Sequence, residues 1–140
     1  FIDERGAAAI AAAGCKAVML PVASFTLRQE PPPIELLRAA GVELVVASDA
    51  NPGTAPTESL PLAMALAVRN YGMTLEEVLL GVTRRAAESL RRPSAVVQIG
   101  APADLVLWDA ALPAELIQPW GVSKAKAVLR AGRVIAGALG

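Results

Sequence analysis

The chain has 140 residues, 54% of them hydrophobic, and its 13 Lys and Arg residues are balanced by 13 Asp and Glu residues. A formal net charge of zero argues against a nucleic-acid partner or an anionic membrane surface, because both select strongly basic proteins. The sequence contains no histidine. This excludes an internal Ser-His-Asp or Cys-His arrangement, and also a His-based metal site made from this chain alone.

The sequence also bears on the compartment of the protein. No run approaches the ~18 to 20 apolar residues of a membrane span, and the start FIDERG lacks the basic-then-apolar pattern of an export signal. Cys15 is the single cysteine, so no internal disulfide can form, which is typical of a reducing compartment. We therefore expect a cytoplasmic protein without a membrane partner. With no histidine to activate it, Cys15 is expected to be a small buried residue.

The first third of the chain alternates helical and strand patterns. The patterns predict helices at residues 3–13 and 34–40, short buried strands at 17–21 and 42–47, and a long loop at 22–33 that ends in three prolines. Gly14 and Gly41 stand where helices are expected to end. This βαβ order predicts parallel strands joined by right-handed crossovers.

The densest turn signal in the chain follows the second strand, where residues 48–54 read Ser-Asp-Ala-Asn-Pro-Gly-Thr. An acid at the carboxyl end of a buried parallel strand, followed by a polar loop that contains glycine, is where α/β enzymes place catalytic groups. Asp49 is therefore a candidate catalytic residue. The alternative is that Asp49 caps the next helix or forms an Asx-turn.

Helical patterns then continue to about residue 90. Residues 60–70 predict a long apolar helix, and Thr74 with Glu77 forms a capping box that starts the next helix. Gly81 is expected to interrupt that helix, and residues 82–90 predict another. Glu76 and Glu77 could be taken for paired catalytic acids, but acids in the first turn of a helix are typically partners of the helix dipole.

The pattern changes after Arg91. Short strands are predicted at residues 96–99, 103–108, 125–130 and 133–136, with Ala131 and Gly132 as a hairpin turn between the last two. This predicts a separate antiparallel sheet, and Trp108 and Trp120 are expected to pack in this sheet or in its helix. Two parallel strands with helices cannot close a sheet or bury both of its faces, so we expect the chain to be part of a larger protein.

Four stretches have a family resemblance: the run from VMLPVASF through SDANPGT to LPLAMALA, then GVTRRAA, ADLVLWD and VLRAGRVI. Together they resemble the C-terminal third of the imidazolonepropionases, a family of the amidohydrolase superfamily. The resemblance extends from about Gly6 to Val134, and SDANPGT is its most specific part. It implies an α/β fold in which residues 1–91 form the C-terminal part of a (β/α)8 metal-dependent hydrolase barrel. Residues 92–140 would be the C-terminal part of a small β-sandwich.

The resemblance also implies a function. The family hydrolyses the ring of 4-imidazolone-5-propanoate to N-formimidoyl-L-glutamate in histidine degradation, and it uses one divalent metal, zinc or iron. Asp49 matches the aspartate that binds the metal or its water and takes part in catalysis. Asn51, Gly53 and Thr54 match the loop that contacts this small-molecule substrate. A homodimer is implied for the full-length enzyme.

Some positions depart from the family pattern. The family's metal-binding and catalytic histidines have no counterpart here, so we expect this chain alone to be inactive. Val22 stands where these enzymes tend to have Gly, and Arg85 replaces a common Asn. Two alternatives stay open: another amidohydrolase, such as a deaminase or a cyclic amidase, which usually lacks the Asn-Pro-Gly loop, or a non-catalytic α/β interaction module in which Asp49 is a cap.

Overall fold

The computed structural model describes residues 2–92 and 95–139. The elements, in chain order, are α1 (Glu4–Ala12), β1 (Ala17–Met19), α2 (Pro21–Thr26), α3 (Ile34–Ala39), β2 (Leu44–Val46), α4 (Leu60–Tyr71), α5 (Leu75–Val82), α6 (Arg84–Ser89), β3 (Leu105–Trp108), a 3-10 turn (Pro113–Leu116), β4 (Ala125–Arg130) and β5 (Arg133–Gly137). The predicted mixed α/β class is confirmed. No helix within the two described ranges has the length and apolar character needed to cross a bilayer.

The first sheet is the parallel pair β1 and β2, with Val18 opposite Val45, as the βαβ order predicts. All three residues of β2 are buried, whereas Val18 in β1 is 50% exposed. The difference arises because α4, α5 and α6 all contact β2. In the described residues β1 has a strand partner on one side only, so its other edge is open.

The predicted long loop at residues 22–33 is wrong in its first part, where α2 forms. Pro21 occupies the first turn of α2, a position at which the missing backbone N–H costs nothing and the fixed φ favours a helix. Pro21, Val22 and Ala23 are buried in α2, which packs against α4. Residues 27–33 remain outside regular structure, as predicted.

The expected interruption at Gly81 is also wrong, since α5 continues through Gly81 to Val82. A Cβ atom at Gly81 would lie 3.1 Å from the carbonyl oxygen of Leu44 and 3.3 Å from the nitrogen of Val46. Gly81 is therefore a close-packing residue that lets α5 lie directly against the backbone of β2. The helix breaks at Thr83 instead, where φ is −121° and ψ is −99°.

The predicted capping box at the start of α5 is confirmed. The Glu77 N–H donates to Thr74 Oγ1 at 3.1 Å, and the Thr74 N–H donates to Glu77 Oε2 at 2.8 Å. Arg38 of α3 donates to the same carboxylate from Nε at 2.7 Å and from Nη2 at 2.8 Å. These bonds, first of all those from Arg38, lower the pKa of Glu77 from its ordinary 4.5 to about 2. Glu77 therefore joins α3 to α5 and is not one of a catalytic pair.

The second sheet is antiparallel, with strand order β3-β4-β5, as predicted. Ala131 and Gly132 form the turn between β4 and β5, both with left-handed φ values of 48° and 77°, which suit a two-residue hairpin. The strand predicted at residues 96–99 is wrong: these residues form no strand, and Val97 is 88% exposed. An apolar run forms a strand only where a neighbour pairs with it, and among the described residues β3 is paired with β4 alone.

Two smaller predictions also need correction. Cys15 is exposed, because it lies in the turn between α1 and the start of β1 and not inside the strand. Trp120 is 52% exposed and lies outside both the sheet and the 3-10 turn, whereas Trp108 is partly buried in β3, as expected.

The core lies where β2 meets α3, α4 and α5. Leu37, Leu44 and Val78 are almost completely buried there. Ile117, just after the 3-10 turn, belongs to the same apolar cluster, so the antiparallel part packs on the parallel part. The division of the chain at residues 91 and 92 stays a prediction, and the neighbouring residues 93 and 94 lie outside the described ranges.

Candidate functional site

The loop between β2 and α4, residues 47–59, which we call the Asp49 loop, begins at the carboxyl end of the parallel pair. The Ala47 N–H donates to the carbonyl oxygen of Met19 at 3.0 Å, so parallel pairing continues one residue past β2. The chain then leaves the sheet at Ser48. Asp49 follows, exposed to solvent, at the end of a strand that is buried throughout. This is the position that the sequence predicts for a catalytic acid.

The carboxylate of Asp49 is largely free. Among the described residues it accepts one weak hydrogen bond, from Asn51 Nδ2 to Asp49 Oδ2 at 3.4 Å. The alternative that Asp49 caps the next helix is wrong, because Ser59 is the N-cap of α4 and accepts the Leu62 N–H at 3.3 Å. An exposed carboxylate with unoccupied lone pairs can accept a proton or bind a cation.

Asn51 organises the loop. Its Oδ1 accepts the backbone N–H groups of Gly53 at 2.9 Å and Thr54 at 2.8 Å, so the Asx-turn that the sequence suggested for Asp49 is made by Asn51. Its own N–H donates to the carbonyl oxygen of Ala55 at 3.0 Å. Ala55 is completely buried. The side chain of Asn51 thus joins both sides of the turn, and its backbone N–H connects it, through Ala55, to the core.

The structure brings Asn51, Gly53 and Thr54 together, but it uses their polar groups within the loop. The N–H groups of Gly53 and Thr54 are paired with Asn51, and Thr54 Oγ1 lies 3.1 Å from Asn51 Nδ2. A Cβ atom at Gly53 would lie 3.3 Å from Asn51 Oδ1. The glycine is therefore explained by the close approach of this amide oxygen. Direct contact of these three residues with a substrate stays a prediction.

An open depression of about 410 Å³ lies beside the loop. It is lined by Ala50, Asn51, Pro52, Ala55, Pro56, Thr57 and Glu58. The sequence pattern did not single out Glu58 in any functional role. Glu58 lies in a turn-rich stretch before a helix, where an acid is as well explained by exposure to solvent as by a function. No sequence signal therefore marks Glu58 as a functional residue.

A second depression of about 340 Å³ lies near the end of β1 and includes Ser24, Gln29 and Tyr71 in its lining. The hydroxyl of Tyr71 in α4 donates to Ser24 Oγ in α2 at 2.6 Å. Burial raises the pKa of Tyr71, and the hydrogen bond to Ser24 opposes this shift. Sequence analysis missed this pair because it treated Ser24 as part of a loop.

The donor set of the chain bears on metal binding. Within residues 2–92 and 95–139 no group of three or more His, Cys, Asp or Glu side chains could hold a metal ion, and the sequence has no histidine. A catalytic zinc typically takes three protein ligands. Asp49 fits as one carboxylate ligand, and the described part of this chain does not form a complete metal site.

The site can now be compared with known proteins. The sequence matches the family described as "Amidohydrolase family" over residues 2–137. It is 45% identical over 126 residues to the imidazolonepropionase of Hyphomonas neptunium, covering 88% of this chain and 31% of that protein. It is 47% identical over 125 residues to the imidazolonepropionase of Chromobacterium violaceum, covering 87% of this chain and 30% of that protein. The chain thus spans about 30% of the length of these curated relatives.

The fold is similar to that of a mutant of atrazine chlorohydrolase TrzN from Arthrobacter aurescens TC1, a structure solved in complex with zinc and atraton. The TM-score is 0.82 at 21% identity, with 98% of this chain and 34% of that chain covered. At 21% identity this similarity establishes the fold and not the activity.

Proposed function

This chain belongs to the amidohydrolase family and has the fold of part of a (β/α)8 barrel, and we propose that it forms part of an imidazolonepropionase-type hydrolase. The reaction would be the opening of the ring of 4-imidazolone-5-propanoate to N-formimidoyl-L-glutamate, a hydrolysis of a C–N bond. The observation that supports this most is the free carboxylate of Asp49 at the carboxyl end of β2. It lies in a chain that is 45% and 47% identical to two imidazolonepropionases.

In this proposal Asp49 has two roles. It supplies one ligand of a divalent metal, zinc or iron, whose remaining ligands lie outside this chain. When bound, such a metal lowers the pKa of a coordinated water to near ~7. The carboxylate oxygen of Asp49 accepts the proton that the attacking water releases, and the same oxygen returns this proton to the ring nitrogen as the C–N bond breaks.

Asn51, Gly53 and Thr54 are proposed to form the wall of the substrate site. Because their N–H groups donate within the loop, the wall would act mainly through its shape and through Thr54 Oγ1. The boundary of the barrel part at residue 91, the sandwich part from residue 92, and a homodimer of the whole enzyme belong to the same proposal.

A hybrid enzyme tests the proposed function. The aligned part of the Chromobacterium violaceum imidazolonepropionase, 30% of its length, is replaced by this chain, and hydrolysis of 4-imidazolone-5-propanoate is measured in the presence of zinc or iron. We expect turnover by the hybrid. A hybrid that is folded and loaded with metal, but does not hydrolyse the substrate, would overturn the proposal.

The purified chain of 140 residues serves as the control and should show no turnover at any metal concentration. One carboxylate cannot replace the three protein ligands of a catalytic zinc. Metal-dependent hydrolysis by the chain alone, free of contaminating enzyme, would show that this chain provides a complete catalytic metal site by itself.

A further inference from the structure

Asp49 has an unusual backbone conformation. Its φ angle is 53°, in the left-handed region that costs an ordinary L-residue about 1 kcal/mol or more. Asp49 is exposed, so burial of its side chain does not impose this conformation. Some other contact in the Asp49 loop must hold it.

The amide of Asn51 makes that contact. Backbone N–H groups can only donate, so the atom of Asn51 that faces the N–H groups of Gly53 and Thr54 must be its oxygen. The NH2 group therefore points the other way. It donates to the backbone carbonyl oxygen of Asp49 at 2.6 Å, the shortest of the hydrogen bonds of Asn51.

Asn51 is itself well anchored. Its N–H is bonded to Ala55, which is completely buried, and its Nδ2 also lies 3.1 Å from Thr54 Oγ1. Its oxygen holds two N–H groups on the far side of the turn. A displacement of the Asn51 amide would therefore break several hydrogen bonds at once. The amide is fixed in position and can hold the carbonyl group of Asp49 in place.

We infer that Asn51 is a positioning residue for Asp49: its amide holds the Asp49 carbonyl and so fixes the direction in which the carboxylate leaves the loop. This inference rests on the proposed function, in which Asp49 transfers the proton. In the proposed function Asn51 also contributes to the shape of the substrate wall, and the inference adds that its main effect on the reaction is exerted through Asp49. The two roles predict different kinetic changes when Asn51 is replaced.

The first test measures the loop itself and needs no activity. Amide hydrogen exchange at Gly53 and Thr54, and the backbone chemical shifts of Asp49, are compared in the hybrid enzyme and in its Asn51→Ala variant. We expect exchange at both amides to accelerate by about tenfold, with loss of the left-handed shift signature at Asp49. Ser59→Ala is the matched control, because it weakens the start of α4 without removing any hydrogen bond of Asn51.

Two results of this first test would overturn the inference. One is an Asp49 whose left-handed signature survives in Asn51→Ala. The other is a folded, unmodified hybrid in which the amides of Gly53 and Thr54 are already unprotected, since their hydrogen bonds to Asn51 would then not be formed.

The second test is kinetic and uses the hybrid enzyme. A positioning role predicts that Asn51→Ala lowers kcat by about 10- to 100-fold and changes KM by less than about twofold, at unchanged metal content, whereas a substrate contact predicts a raised KM with kcat retained. Asn51→Asp isolates the donor, because its oxygen can still accept the two N–H groups but cannot donate to Asp49. We expect a lowered kcat in Asn51→Asp, while amide hydrogen exchange at Gly53 and Thr54 stays slow.

Wild-type kcat in Asn51→Asp, or a change in KM alone in Asn51→Ala, would contradict the positioning role. If the unmodified hybrid shows no hydrolysis, the proposed function fails. The exchange and chemical-shift measurements still decide whether Asn51 holds Asp49.

Discussion

At the scale of single residues, Asp49 and Glu77 show how two acids that each follow a turn signal come to lie in different surroundings. The Glu77 carboxylate accepts bonds from Thr74 and Arg38, so its lone pairs are occupied and its pKa is lowered to about 2. Among the described residues the Asp49 carboxylate accepts one hydrogen bond, from Asn51 Nδ2 at 3.4 Å. The same nitrogen donates to the backbone carbonyl oxygen of Asp49 at 2.6 Å. A fixed backbone with a free carboxylate is what a general base needs.

Asp49→Asn in the hybrid enzyme should therefore abolish most of the activity. Asparagine keeps the shape of the side chain and tolerates the left-handed backbone, but it cannot accept and return a proton. We expect kcat to fall by at least the ~10² to 10⁴ typical of general acid–base groups, and further if metal binding weakens. Steady-state kinetics with metal analysis measures both effects.

The matched control for Asp49→Asn is Glu76→Gln, which neutralises an exposed acid in the first turn of α5 and should leave kcat near the wild-type value. If Asp49→Asn keeps wild-type activity, the catalytic assignment of Asp49 is wrong.

The location of Asp49 could be predicted from the sequence, but its conformation could not. A buried apolar run that stops at an acid and a turn signal places that acid at the end of a strand, whatever the details of the loop. Asp and Asn can both form Asx-turns, so the pattern could not tell that Asn51, and not Asp49, makes the turn. That choice depends on the path of the backbone to Ala55, which is set by packing in the core.

At the scale of elements, the helices show where local signals were sufficient. The capping box at Thr74 and the turn at Ala131 and Gly132 use contacts between near neighbours, and both were predicted. The helix α2 was missed because its stability comes from packing on α4, and Gly81 was misinterpreted because its partner, β2, is distant in sequence. A strand at residues 96–99 was predicted from apolar content, but no strand within residues 2–92 and 95–139 pairs with this segment.

Gly81→Ala should destabilise the hybrid enzyme. The new methyl group would meet the backbone of Leu44 and Val46 at 3.1 and 3.3 Å, and backbone atoms of a buried strand cannot move aside. Overpacking of this kind costs about 1 to 3 kcal/mol, which exceeds the gain of up to about 1 kcal/mol in helix propensity. We expect a lower midpoint of thermal unfolding.

Glu76→Ala provides the control for Gly81→Ala, because it lies on the exposed side of the same helix and should change stability by about 0.5 kcal/mol or less. A Gly81→Ala variant that is more stable than wild type would show that α5 does not press on β2 as closely as the structure indicates.

Glu77→Gln should make the stability of the protein less dependent on acid pH. Arg38 lowers the pKa of Glu77 to about 2 in the folded state, so the ionised form stabilises the fold. This contribution is complete above the ordinary pKa of 4.5 and is lost as the pH falls towards about 2. Glutamine preserves the capping box but loses the charge, and near pH 7 we expect a loss of about 1 kcal/mol because the pair is partly exposed.

Unfolding midpoints of the wild-type and Glu77→Gln hybrids, measured near pH 7 and at steps below pH 4.5, test the prediction for Glu77. The difference between the two proteins should shrink as the pH falls. A difference that stays constant with pH would mean that the charge of Glu77 does not contribute.

At the scale of the whole molecule, the chain has more surface than its size requires. A compact folded protein of 14.4 kDa exposes roughly 6,800 Å², whereas this structure exposes 8982 Å². The excess of about 2,100 Å² on this one chain exceeds the roughly 800 Å² that each partner buries in a specific protein–protein interface. Part of it is apolar, since Val18, Phe25 and Val97 are at least half exposed.

The isolated chain should therefore self-associate. The edge of β1 that no strand of the described residues covers offers unpaired backbone groups, and Val18 in this strand is 50% exposed. Both features favour pairing with another copy. Sedimentation should detect species larger than a monomer at micromolar concentration, and calorimetry should show no sharp, cooperative unfolding. Val18→Lys places a charge next to the open edge and should shift the distribution towards the monomer, whereas Glu4→Lys, an exposed change on α1, should not. A monomeric wild-type chain with a single cooperative unfolding transition would contradict the prediction and would favour an independent α/β module.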